Sequence, residues 1–364
     1  MDNSQMIGRP VSELDTPALL LDIDALTANI ETMAAFFAGR PSGLRPHFKS
    51  HKCTAIARMQ MDAGAVGITC AKLGEAEVVA DAGISDILIA NQIVGEQKIA
   101  RLVELAKRAR PMVAVDAESN IRELSQAASD AGITIRVLVE VDIGLNRCGV
   151  APGEPALRLA RLVSDAPGLS FDGLQGYEGH LVLLRNEAER SSKTREALQV
   201  LVDTRRLIES SGIPVGILSG GGTGTYNVTG GFPGMDEVQA GSYATMDWYY
   251  GEIRPEFRQA LSILTLICSR PKPGMAVLDV GVKGIGYDFG PPQAKYPAHG
   301  EIGRFGSEEH TVWSVADDAA ALGDKIEIIP SHGCVTCNLY REFFVHRDGT
   351  VVDVWPIEGS GKLT

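Results

Sequence analysis

Cysteine is scarce in this chain: six residues in 364, scattered along its length. That excludes a disulfide framework and points to a reduced, cytoplasmic protein. No apolar run is long enough to span a bilayer. The first residues, Met1-Asp2-Asn3-Ser4-Gln5, lack the basic and apolar regions of a secretory leader. Positive charge is also short, with 34 Lys and Arg against 46 Asp and Glu and a formal net charge of −12. Nucleic acid and anionic membranes are therefore excluded as main partners. A small anion held in a local basic pocket is not. There is no low-complexity segment and no short-period repeat, which excludes a solenoid.

What is present is a globular composition, 45% hydrophobic and 22% charged, able to bury a sizeable core. Short apolar runs at 19–23, 44–49, 67–71, 87–91, 112–116, 135–142, 174–177, 215–219 and 237–242 alternate with helix-like segments such as 73–82, 97–108, 120–131, 155–165 and 186–211. Alternation of this kind builds parallel βαβ units. The expected class is α/β, a (β/α)8 TIM barrel, with an open doubly wound sheet as the competitor. The barrel is preferred because polar or glycine-rich residues end nearly every strand: Lys49, Asn91, Asp116, Asp142, Tyr177 and Gly220. In a barrel those ends share one face. Beyond about residue 255 no long helical pattern separates the strand-like runs at 261–268, 275–280, 311–315, 325–329, 342–346 and 351–355. The expected organisation is a barrel over 16–255 and a mostly-β domain over 256–364, with residues 1–15 joining the second.

Four stretches carry chemistry. Arg45-Pro46-His47-Phe48-Lys49-Ser50-His51-Lys52 places a lysine at a strand end among other basic groups. Cationic neighbours and partial burial lower an amine's pKa and free its lone pair, so Lys49 is the candidate to hold pyridoxal 5'-phosphate as a Schiff base. A solvated basic turn is the alternative. Ser219-Gly220-Gly221-Gly222-Thr223-Gly224-Thr225-Tyr226 follows a strand and can cradle phosphate with backbone N–H groups and hydroxyls. No Gly-Lys-Ser/Thr follows, so nucleotide hydrolysis is disfavoured. Gln239-Ala240-Gly241-Ser242-Tyr243 ends the next strand and offers hydroxyls to the same anion.

Arg147, in a glycine-flanked loop after 136–141, can stabilise a phenolate or a carboxylate. Tyr177-Glu178-Gly179-His180 supplies a stacking ring and two acid–base groups. In Pro330-Ser331-His332-Gly333-Cys334-Val335-Thr336-Cys337, His332 and Cys334 lie two apart and would face the same way on an extended segment. Imidazole plus thiolate suits zinc and related divalent ions, with positions left open for Lewis-acid work. Cys334 and Cys337 form a Cys-x-x-Cys without the second pair that a structural zinc site needs. Glu308-Glu309-His310 reads as a solvated loop.

With these pieces in order, the chain resembles the D-threonine aldolase and D-serine dehydratase family of fold-type III pyridoxal phosphate enzymes. The resemblance rests on Thr16-Pro17, Leu21-Asp22, Arg45 to Lys49, Asn146-Arg147-Cys148-Gly149, the loop 220–226, 239–247, 330–339 and Val351 to Pro356. It implies an alanine-racemase-like barrel with a C-terminal β domain, usually as a homodimer. It puts Lys49 on the Schiff-base lysine, Gly221, Gly222 and Thr223 on the phosphate site, Arg147 and Tyr177 on cofactor-pocket positions, and His332 on a metal ligand. Gly241, Ser242 and Tyr243 form the second wall. The second ligand position is usually aspartate in the aldolases; here it is Cys334, which looks more like the zinc-dependent dehydratases. The aldolase acid–base histidine falls at Leu183, and the nearest histidine is His180.

The expected function is a lyase using pyridoxal phosphate and a divalent metal (Mn, Mg or Zn) to cleave small D-β-hydroxy-α-amino acids to glycine and an aldehyde. The alternatives are a zinc-dependent D-serine or D-3-hydroxyaspartate dehydratase, and a non-catalytic pyridoxal phosphate carrier. Chelator-insensitive racemisation would identify a fourth outcome.

Overall fold

The computed structural model describes residues 3–296, 300–303, 307–317 and 319–364. The chain forms two compact units. One comprises Met33–Lys49, Ile56–Gly241 and Lys362–Thr364; the other comprises Met1–Thr32, Ser50–Ala55 and Ser242–Gly361. These limits differ from the expected 16–255 and 256–364.

After two 3-10 turns, Ser4–Met6 and Val11–Glu13, come β1 (Ala18–Asp22) and α1 (Ile23–Phe37). The barrel strands follow as β2 (Gly43–Leu44), β3 (Ile68–Cys70), β4 (Asp86–Gln92), β5 (Arg110–Val115), β6 (Ile135–Glu140), β7 (Leu169–Gly176), β8 (Ile217–Gly220) and β9 (Glu237–Val238). The helices between them are α2 (Thr54–Asp62), α3 (Leu73–Asp81), α4 (Glu96–Ala106), α5 (Glu118–Ala131), α6 (Glu154–Asp165), α7 (Glu187–Ser210) and α8 (Tyr226–Thr229). The strand order is β2-β9-β8-β7-β6-β5-β4-β3, parallel throughout. A parallel bridge between His47 and Thr69 joins the two ends of that order. Parallel neighbours need crossovers, and the helices supply them. In α5 the buried Ile121, Leu124 and Ala128 recur at helical spacing; Gly132, left-handed at φ 65, ends the helix.

The barrel interior is layered. Leu88, Met112 and Leu138 form an apolar layer with Ile217 against it. At the strand starts Arg45, with 3% of its side chain exposed, pairs with Glu237 at 2.5 Å and Asp86 at 2.6 Å. Arg136 links Asp86 at 3.2 Å to Asp172 at 2.6 Å. A buried guanidinium persists only when paired in this way.

The second unit holds β1 together with β10 (Leu261–Lys272), β11 (Met275–Leu278), β12 (Gln293–Tyr296), β13 (Glu301–Ile302), β14 (Thr311–Ser314), β15 (Lys325–Ile329), β16 (Glu342–Arg347) and β17 (Thr350–Pro356). Two short helices, α9 (Trp248–Ile253) and α10 (Gly333–Cys337), belong to it. The order is β13-β14-β11-β10-β1-β16-β17, with β15 on β10 and β12 on β15. The run at 19–23, counted among the barrel strands from the sequence, is therefore corrected. β1 lies antiparallel to β10, with Leu19 opposite Ile263, and parallel to β16, with Leu21 opposite Val345. Leu19, Leu20 and Leu21 are fully buried, and a continuous apolar run reads alike in either setting. Val11 and Leu14 pack on Ala18, Leu20, Leu264 and Val351, so the N-terminal segment covers one face of this sheet. No described helix is long and apolar enough to cross a membrane.

Candidate active site

In the barrel unit the candidate residues sit where the strands end. β2 is only two residues long and passes into a tight turn, Phe48–Ser50, that carries Lys49. The expected strand over 44–49 is thus shorter than the apolar pattern suggested. His47 is 7% exposed and its N–H donates to Ala240 O at 3.1 Å, tying the turn to the segment that ends in Gly241. Residues 50–55 belong to the other unit; there His51 is fully buried and its Nδ1 accepts Cys53 N–H at 3.2 Å. Lys52 is buried with φ 56. The basic stretch is folded into the protein, so the solvated-turn alternative does not describe it.

The glycine loop follows β8. Glu178, fully buried just after β7, accepts Gly221 N–H at 3.2 Å, Thr225 Oγ1–H at 2.7 Å and Thr229 Oγ1–H at 2.7 Å. One carboxylate thereby latches both sides of the loop. Gly221 has φ +77, and a Cβ on Gly224 would lie 1.8 Å from Val182 O. Only glycine fits that approach. A Cβ on Gly222 would lie 3.4 Å from the Tyr177 ring, so loop and ring are neighbours. Backbone without side chains lets a phosphate group approach closely, and the residues fit it in that respect, with Gly221 N–H already given to Glu178 and Gly222 N–H to Thr225 Oγ1 at 3.3 Å. The sequence had offered Glu178 as an acid–base group; its three accepted hydrogen bonds assign it to holding the loop.

The Arg147 guanidinium carbon stands 5.7 Å from the Tyr177 ring centroid, within cation–π range. Its loop is shaped by Asp142, whose Oδ1 accepts Gly144 N–H at 2.9 Å and Asn146 N–H at 3.0 Å. Beneath lies a polar cluster absent from the sequence-based candidates. Gln92 Nε2 donates to Glu140 at 2.5 Å and to Asp116 at 3.2 Å, and Asp116 accepts Gly149 N–H at 3.0 Å. Burial pushes the Glu140 carboxyl up, against the pull of Gln92 and Arg147. These residues end three strands, and that strand-end pattern was the available signal. His180 is exposed and lies against Gly144, where a Cβ would be 3.2 Å from its Nε2.

The remaining candidates belong to the β-rich unit. Ser242 Oγ is 3.7 Å from Cys334 Sγ, and Ser50 Oγ is 3.6 Å from the same sulfur. Ser50 directly follows Lys49 in the chain. Tyr243 is fully buried and packs on Phe257, ring centroids 5.7 Å apart.

The segment around His332 and Cys334 is not extended as expected. His332 is the N-cap of the helical turn α10, and Cys334 lies inside it. The buried Asp247 drives this: its Oδ2 accepts Gly333 N–H at 2.9 Å while Oδ1 accepts Tyr250 N–H at 2.9 Å, capping α10 and α9 together. Burial raises the Asp247 pKa to about 6, moderated by those N–H groups. His332 and Cys334 still meet. Burial pulls the imidazole pKa down, but hydrogen bonds and charge from Asp288 and Cys334 outweigh it and raise it to about 10. Cys337 is fully buried and its thiol is pushed well up, by burial first and then by Cys334. Among the described residues no group of three or more His, Cys, Asp or Glu is arranged to hold a metal ion. The donor chemistry of His332 and Cys334 fits a two-ligand site with open positions, not a closed structural one. Glu308 and Glu309 pair with exposed Lys283, each at 3.0 Å, as a solvated loop should.

Two family models match the chain. Alanine racemase, N-terminal domain, covers residues 21–247, and a putative serine dehydratase domain covers 260–346. A D-threonine aldolase of Arthrobacter sp is 39% identical over 97% of this chain and 95% of its own length. A 3-hydroxy-D-aspartate aldolase of Paracoccus denitrificans is 35% identical over 98% of this chain and 94% of its own length. The crystal structure of D-threonine aldolase from Filomicrobium marinum superposes with a TM-score of 0.96 at 42% identity, covering 98% of this chain and 99% of that one.

Proposed function

The chain belongs to the alanine racemase N-terminal domain family, and from that premise we propose that it is a pyridoxal phosphate- and divalent-metal-dependent lyase of the D-threonine aldolase type. It cleaves D-β-hydroxy-α-amino acids to glycine and an aldehyde. The observation that carries this reading is the 39% identity to a D-threonine aldolase over 97% of the chain.

Pyridoxal phosphate, when bound, supplies an electron sink at the amino acid's Cα. A divalent ion, when bound, supplies a Lewis acid for the β-hydroxyl. Lys49 would hold the cofactor through its Nζ. The loop at Gly221, Gly222 and Thr223 would receive the phosphate, with the Glu178 latch, which takes the Gly221 N–H, keeping that loop in place. Gly241, Ser242 and Tyr243 are the second wall. The Tyr177 ring and the Arg147 guanidinium orient the aromatic ring, and Arg147 adds a fixed positive charge. His332 and Cys334 are the metal ligands. His180 is the group that accepts the β-hydroxyl proton; its exposure keeps a path for that proton to solvent. The enzyme works in the cytoplasm as a homodimer.

A dehydratase is the second reading, favoured by Cys334 at a ligand position and by the putative serine dehydratase model over 260–346. Product analysis on cofactor-loaded protein separates the two. Glycine and acetaldehyde from D-threonine, lost with chelator and restored by a divalent ion, is the expected result. Ammonia and a 2-oxo acid from D-serine would replace it with the dehydratase. Turnover of neither, with cofactor still bound, would leave a carrier. Lys49→Ala should lose the absorbance of lysine-bound cofactor; if that absorbance survives unchanged, the assignment of Lys49 is wrong.

A further inference from the structure

We propose that Asp288 is a positioning residue for His332, holding the imidazole by Nδ1 so that Nε2 is the nitrogen presented to a divalent cation. The inference rests on the reading of His332 and Cys334 as metal ligands.

A neutral imidazole has one N–H and one lone pair, and either nitrogen can carry the proton. A ring that must offer a lone pair to a metal is best fixed by an acceptor on the other nitrogen. His332 Nδ1 is hydrogen-bonded to Asp288 Oδ2. The next residue, Phe289, lies flat on the same ring, with centroids 4.2 Å apart and planes at 12°. Asp288 thus sets the direction of the ring within its plane, and Phe289 sets the plane.

The segment that carries both residues is itself anchored to the α10 turn. Gly286 N–H donates to Thr336 Oγ1 at 3.1 Å, and Ser331 Oγ–H donates to Gly286 O at 3.1 Å. Further along, Trp248 Nε1–H donates to Pro291 O at 2.9 Å, while Trp248 N–H donates to Pro330 O at 3.2 Å. The hydroxyl of Thr336 also donates to His332 O at 2.9 Å, so the same side chain ties the loop to the ligand's own backbone. These bonds fix Asp288 relative to His332 on both sides. Asp288 is 41% exposed on its side chain, where an ion pair contributes little to stability. A carboxylate that adds little to the fold yet is held on the free nitrogen of a candidate ligand is placed for the metal.

The test uses full-length protein stripped of metal and titrated with zinc alone by calorimetry, with thermal melts beside it. Asp288→Asn should weaken zinc binding roughly 10- to 100-fold, the usual loss when such a partner is removed, with little change in melting temperature. Asp288→Glu should recover part of the affinity. In cobalt-substituted protein, Asp288→Asn should shift the ligand-field bands while the sulfur-to-cobalt band persists. Phe289→Leu keeps the carboxylate and should cost less affinity than Asp288→Asn; an equal or larger loss would assign the hold to the ring and overturn the proposal. Wild-type zinc affinity and unchanged cobalt bands in Asp288→Asn would also overturn it, leaving the ligands in place. If His332→Ala binds zinc as the wild type does, the metal reading falls and the proposal falls with it.

Discussion

The glycine loop at 220–226 and the helical turn at 333–337 are both candidate ligand sites, built on opposite principles. The loop works by what it leaves out. Its glycines carry no side chains, and a buried carboxylate, Glu178, holds it from behind through Gly221 N–H and the hydroxyls of Thr225 and Thr229. The turn works by what it displays. His332 and Cys334 project from it, and its backbone N–H is used up on Asp247. A site made of backbone should fail through sterics and take the local fold with it. One made of side chains should fail through chemistry while the fold survives.

The largest effect is expected at Gly224. A methyl group there would meet Val182 O at 1.8 Å, an approach that no rotamer relieves. Gly224→Ala should abolish retention of the cofactor and destabilise the protein by about 1–3 kcal/mol, the usual cost of forced overpacking. Cofactor absorbance after gel filtration and a thermal melt measure the two losses. Cofactor retained at wild-type level would mean that the loop yields, and the contrast between backbone and side-chain sites would break.

Much of the barrel was legible because parallel strands must alternate with helices, and runs such as 112–116 and 135–142 recur between helical patterns. The strand ends then placed Lys49, Arg147, Tyr177 and the glycine loop on one face. The failures have physical causes. Leu19 to Leu21 are buried as completely in a central sheet strand as in a barrel strand, so nothing in the run told one from the other. The turn at Gly333–Cys337 has five residues, too short for periodicity to show. The Glu178 latch closes on partners 43, 47 and 51 residues away, and Asp288 lies 44 residues from His332. Pairings at that range leave no trace in local pattern.

A matched pair of amide substitutions sharpens the contrast. Glu178→Gln keeps the size of the side chain but leaves one acceptor oxygen where two served three donors. Being fully buried, it should lose about 1–3 kcal/mol of stability, the range for a buried polar group left without its partner. Cofactor affinity should fall with it, since Gly221 N–H loses its hold. Asp288→Asn, on a half-exposed side chain, should leave the melting temperature nearly unchanged and move metal affinity alone. Equal thermal shifts in the two variants would show that exposure does not separate them.

A small effect on stability, and the finest test, belongs to Cys334→Asp. Cys334 is half-buried, and its sulfur makes long contacts to Ser50 and Ser242 at 3.6 and 3.7 Å, so a carboxylate of similar reach should cost about 1 kcal/mol or less. The chemistry should change more than the fold. Thiolate is a soft donor that favours zinc, and carboxylate is a hard one that suits manganese and magnesium. The ratio of zinc to manganese affinity should therefore fall in the variant, while D-threonine cleavage supported by manganese should hold or rise. An unchanged ratio would remove Cys334 from the ligand set. The turn would then resemble the glycine loop, a structure whose side chains matter only for how the backbone is held.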